Sequence, residues 1–156
     1  MDPRVKTDGL AQQFELSRRV CEALERDTVA LEAVRGLRSQ LTKLREGLPA
    51  GGLRDSLDAL DRSAAELDTP SETQGRRRGE GTNGFAQLNR DLATLLAILD
   101  GADATPTTQA TGAVDERIKA LEGSLARWKT LRETDLAALQ TELRKEGRPT
   151  LTVSEK

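Results

Sequence analysis

Residues 105–147 read TPTTQATGAVDERIKALEGSLARWKTLRETDLAALQTELRKEG. Within them Val114, Ile118, Leu121, Leu125, Trp128 and Leu131, then Leu136, Leu139 and Leu143, recur with the spacing of one helical face. Thr105 is placed to cap the start, and Pro106 suits a first helical position, where its missing N–H would be unpaired anyway. Asp115 and Glu116 early, with Arg144 and Lys145 late, complement the helix dipole. Gly147 and Pro149 supply the stop. The pattern predicts one helix over 106–146, roughly 60 Å long at 1.5 Å per residue. An apolar stripe of that length must be covered by the rest of the chain.

A second long helix is expected over 9–46. Its inward stripe reads Leu10, Phe14, Ser17, Cys21, Leu24, Thr28 and Leu31, then, after a three-residue phase slip, Val34, Leu37, Leu41, Leu44 and Leu48. Such a slip would locally overwind a supercoil. Glu15 with Arg19, and Glu22 with Arg26, are set for i,i+4 pairing on the wet side. Gly51-Gly52 makes a turn into a shorter helix over 53–67, with Leu53, Leu57, Leu60, Ala64 and Leu67 inward. Thr69-Pro70 ends it, and 69–83, without a single apolar residue from Ser71 to Asn83, reads as a flexible loop. Asn83 is placed to cap a third helix over 85–100, with Phe85, Leu88, Leu92, Leu95 and Leu99 inward. Residues 1–8, with Pro3, read as a linker or the end of a preceding β segment, and 148–156 as a frayed tail.

The fold class is therefore all-α: an elongated antiparallel helical bundle of two long helices and two short middle ones. The middle pair can run back in series as one broken strand, or lie side by side and make one half four-helical. Composition agrees. Ala, Glu, Lys, Leu and Arg account for 81 of the 156 residues, the balance of long helices, and aromatic content is 2%. A net charge of −2 predicts no general attraction to nucleic acid or an anionic membrane. No apolar run reaches the length of a membrane span, and the polar opening Met1–Thr7 does not read as a signal peptide, so the chain as written is expected in the cytoplasm.

Candidate sites are few. With no histidine, His-based triads, His-metal sites and Glu-x-x-His di-iron patterns are excluded. No cofactor is expected. Cys21, on the inward stripe, reads as a buried core thiol. Asp55, Asp58 and Asp61 form an acidic ladder that reads as a solvated face beside Arg54 and Arg62. Arg76, Arg77 and Arg78 could contact an anion, though Glu72 and Glu80 bracket them and no aromatic lies near for base stacking. Trp128 sits at a core position and could instead anchor an interface, as could Leu151 and Val153 in the tail. Gly112 and Gly123 weaken the last helix unless a neighbour approaches them closely.

Four stretches carry a resemblance: Asp2-Pro3-Arg4-Val5, the glycine-rich gap before Phe85, Gly101-Ala102-Asp103-Ala104-Thr105-Pro106-Thr107, and Leu125-Ala126-Arg127-Trp128. In that order, among Leu/Ala/Arg-rich helices, they resemble the C-terminal helical region of bacterial BNR-repeat glycosyl hydrolases and sortilin-like β-propeller proteins. The resemblance implies a secreted or periplasmic parent in which a propeller and a small β segment precede these helices. It implies no catalytic residue here, because the propeller with its Asp-boxes is not part of this sequence. Two roles follow as expectations. One is a non-catalytic accessory module that packs against parent domains; the other is a stand-alone coiled-coil oligomerisation protein. A glycan hydrolase would need a pair of carboxylates across a cleft, which a slender bundle does not offer.

Overall fold

The computed structural model describes residues 3–69, 84–102 and 104–153. Helix α1 spans Pro3–Glu46, α2 Gly52–Asp68 and α3 Phe85–Asp100. Helix α4, Thr108–Leu131, runs through a π-helical turn, Arg132–Leu136, directly into α5, Ala137–Lys145. No strand occurs among the described residues. The all-α bundle expected from periodicity is what the chain builds.

The polar cross-links give the topology. Arg45 with Asp58, Arg38 with Asp61 and Arg35 with Asp68 run in opposite directions along α1 and α2. Asp27 with Asn89, and Gln13 with the Leu99 carbonyl, do the same for α1 and α3. Arg19 with Asp115 and Gln40 with Thr152 advance together, so the final helix is parallel to α1. Helices α2 and α3 thus return in series, α2 along the C-terminal half of α1 and α3 along its N-terminal half. The bundle is three-stranded with one broken strand.

Helix α1 differs from expectation in two ways. It begins at Pro3, so residues 3–8 are helical rather than a linker; proline is tolerated in a helix's first turn. Its core face also differs before Val34, while Val34, Leu37, Leu41, Leu44 and Leu48 are inward as expected. Gly9, Leu16, Val20, Ala23, Asp27, Ala30, Val34, Leu37, Leu41 and Leu48 are buried, with Gln13 and Leu44 half-buried between them. These positions alternate steps of four and three without a break from 9 to 48, so there is no phase slip. Leu10 and Phe14 stand out at 62% and 72% exposed, and Cys21 is exposed rather than a core thiol. The larger side chains had indicated the wrong flank. Glycine, glutamine, alanine and aspartate on the true face make it the less hydrophobic one.

The last helix starts two residues late. Thr107 caps it, its Oγ1 accepting from the Ala110 N–H at 3.1 Å, while Thr105 packs instead against Gly9. Further along, the step from Leu131 to Leu136 is five residues, one too many for a regular face. The π turn absorbs that extra residue, and Leu136, Leu139 and Leu143 return to the core. Arg148 N–H then bonds the Leu143 carbonyl at 2.8 Å and Gly147 N–H the Arg144 carbonyl, with Gly147 at φ 65°. This is a Schellman stop at the expected glycine. Helix α3 is capped by Gly84 without a side-chain bond; the expected cap Asn83 lies outside the described residues, as does nearly all of the 69–83 loop.

Candidate interaction surfaces

The tail is part of the bundle up to Val153. Leu151 is 5% exposed and Val153 packs on the core from a half-buried position. Two glutamines hold the backbone between them as a neighbouring strand would. Gln140 donates to the Leu151 carbonyl at 2.9 Å and accepts from the Leu151 N–H at 3.2 Å. Gln40 donates to the Thr152 carbonyl at 2.7 Å and accepts from its N–H at 2.9 Å. The expected frayed tail is corrected for 148–153: amide side chains satisfy a backbone that has no ladder of its own. Leu151 is consequently used inside the chain rather than offered outward.

Trp128 has the same fate. It is 4% exposed, with the Arg132 guanidinium 5.5 Å from its ring centroid. Its edge and Arg132 meet Val29, Ala30 and Ala33 of α1 in an open groove between α1 and α4.

The acidic ladder on α2 is not simply solvated. Asp58 pairs with Arg45 at 3.2 Å, Asp61 accepts from Arg38 at 3.0 Å, and the nearly buried Asp68 accepts from Arg35 through both oxygens at 3.1 Å. Asp55 remains exposed. The carboxylates therefore fix α2 to α1, and among the described residues no cluster of three metal-ligating side chains occurs. On the wet side of α1, Arg18 bridges Glu15 and Glu22, which leaves Arg19 to cross to Asp115. That hydrogen bonding holds the Glu15 carboxyl below its ordinary range. Arg76, Arg77 and Arg78 lie outside the described residues. No described helix is long and apolar enough to cross a membrane.

Two features escaped the reading of residues. One is the exposed strip Leu10–Phe14–Cys21, whose members follow one flank of α1 at steps of four and seven. The other is Asp27, fully buried on the core stripe, with Asn89 donating to its Oδ2 at 3.0 Å. An unbroken alternation of four and three from Gly9 to Leu48 would have found both. It places Asp27 inward and the strip outward.

Comparison with protein-family models, curated proteins and solved structures finds no match to this chain.

Proposed function

We propose that this chain is a non-catalytic helical packing module that works by binding protein, bracing the domains of a secreted propeller-type parent in the way the sequence resemblance implies. The observation that supports this reading is the pair Leu10 and Phe14, exposed one turn apart on α1 of a bundle that buries most of its large apolar residues, Trp128 and Leu151 included, with Ile98 and Val29 the others left exposed among the described residues. Phenylalanine and leucine together offer on the order of 300 Å². A stable complex between separate chains needs about 800 Å² per partner. A domain joined in the same chain needs less, because its effective concentration is already high. The strip is therefore of a size for docking within one protein.

Oligomerisation of free chains is the second reading, and the exposed Phe14 is what favours it. Light scattering on size-exclusion fractions, across a hundredfold range of concentration, separates the two. A 17 kDa monomer throughout is the packing-module result. A dimer that L10S/F14S dissolves, with helicity unchanged by circular dichroism, would overturn it in favour of self-association.

A further inference from the structure

Asp27 lies at a core position of α1 where every other residue of the stripe from Leu16 to Leu41 is apolar, and none of its surface reaches solvent. Asn89 of α3 serves one oxygen; the same amide donates to Thr28 Oγ1 at 3.0 Å, and Thr28 in turn donates to the Leu24 carbonyl. The other oxygen, Oδ1, has no hydrogen-bond partner. At the far end of the same seam Gln13 donates to the Leu99 and Ala102 carbonyls at the C-terminus of α3. A carboxylate sealed in this way carries a charge that nothing neutralises, and an uncompensated buried charge is costly.

We propose that Asp27 is an acid-responsive lock on the α1–α3 seam: a carboxylate enclosed between the helices that holds them more firmly once its free oxygen carries a proton.

The surrounding charges leave Asp27 to itself. On α1, Glu25 and Arg26 are exposed. On α3, Arg90 donates to Gln87, and Asp91 takes Arg117 of α4. The buried residues of α4 are all uncharged. The other buried acid, Asp68 on α2, is held by Arg35 and Arg38. Burial accordingly pushes the Asp27 carboxyl up to about 6, with the Asn89 bond opposing the rise. A carboxyl whose pKa is higher folded than unfolded binds its proton more tightly in the folded chain. Stability then rises as pH falls from about 6 to about 4, and is lost again as pH climbs through that window. Above it, the full cost of the charge is present.

The test is urea unfolding of the wild type and of Asp27→Asn at half-unit steps from pH 4.5 to 7.5, beside a carbon-13 NMR titration of the Asp27 carboxyl in the wild type. The unfolding constant of the wild type, relative to D27N, should fall about tenfold per pH unit below pH 6. Amides of α3 should exchange more slowly at pH 5 than at pH 7 after correction for intrinsic rates. A carboxyl that titrates below pH 4.5, or a D27N profile parallel to the wild type, would overturn the proposal. If D27N fails to fold, the wild-type titration decides alone.

Discussion

The C-terminal half of α1 is held by arginine–aspartate pairs to α2; the N-terminal half presents smaller and more polar side chains to α3. Beyond Val34, the stripe holds Leu37, Leu41 and Leu48, and Arg35, Arg38 and Arg45 are each tied to an aspartate of α2. Gln40 adds the tail. Before Val34, the stripe holds Leu16 and Val20 but also Gly9, Gln13, Ala23, Asp27 and Ala30, the flank exposes Leu10 and Phe14, and the buried carboxylate has no cation. The two halves share one helix and one heptad phase, so secondary structure is not what separates them. What differs is how much side chain fills the seam and how its charges are matched. The first half holds both the exposed Leu10–Phe14 pair and the unmatched carboxylate, and the second holds the matched ion pairs.

The largest effect that would break this comparison is in the core. Leu41→Ala should cost about 2–5 kcal/mol in urea unfolding, because the removed methyl groups leave a cavity in a closed seam. Leu10→Ala and Phe14→Ala should each stay within about 0.5 kcal/mol, as surface changes do. If Leu10→Ala and Phe14→Ala cost as much as Leu41→Ala, the strip is not exposed in solution, and both the contrast and the packing-module reading fall together.

Most of the architecture could be read from the residues, and the places where reading failed share one cause. Helix number, the two long and two short lengths, and the Gly147 stop follow from periodicity and glycine placement, which are local signals. The face of α1 is not local. Leu10 and Phe14 outrank Gly9, Gln13 and Ala23 in hydrophobicity, yet the inward side is chosen by what α3 and α4 can pack against. Gly9 is inward because Thr105 approaches it too closely for a side chain. The same holds for the acid ladder. Asp58 and Asp61 have Arg62 and Arg54 near them in sequence, but their ion-pair partners come from α1, 13 and 23 residues away. The π turn was written in the sequence as a five-residue step between Leu131 and Leu136, a signal that is plain once a regular face is required to continue.

The two buried aspartates should respond to the same change with opposite sign. Asp68→Asn removes the anion that Arg35 and Arg38 share. Because both arginines keep much of their surface in water, the loss should be only about 1 kcal/mol. Asp27→Asn removes an unmatched charge and should raise stability at pH 7 by about 2–3 kcal/mol, the counterpart of a carboxyl displaced by some two pH units. Midpoints of urea unfolding at pH 7 read both. A loss for each would mean that Asp27 is stabilised by something other than the Asn89 bond, and the two halves would then be alike in their electrostatics.

The smallest and most local test uses two glycines of α1, one in each half. A side chain at Gly9 would run into Thr105 Oγ1, whereas one at Gly36 would meet nothing within 4 Å. Gly9→Ala must move the segment leading into α4, so it should destabilise. Gly36→Ala only removes backbone freedom from the unfolded chain and should stabilise by up to about 1 kcal/mol. Gly112 and Gly123 of α4 are equally open, which discards close helix approach as the reason for them. G112A and G123A should each add a gain like that of G36A. Thermal midpoints of the four variants rank them directly. Three upward shifts and one downward would place a tight contact of this bundle at the Gly9–Thr105 crossing, in the half whose seam carries the smaller side chains. A rise for Gly9→Ala would mean that Thr105 yields easily and that the Gly9–Thr105 crossing is not a tight contact.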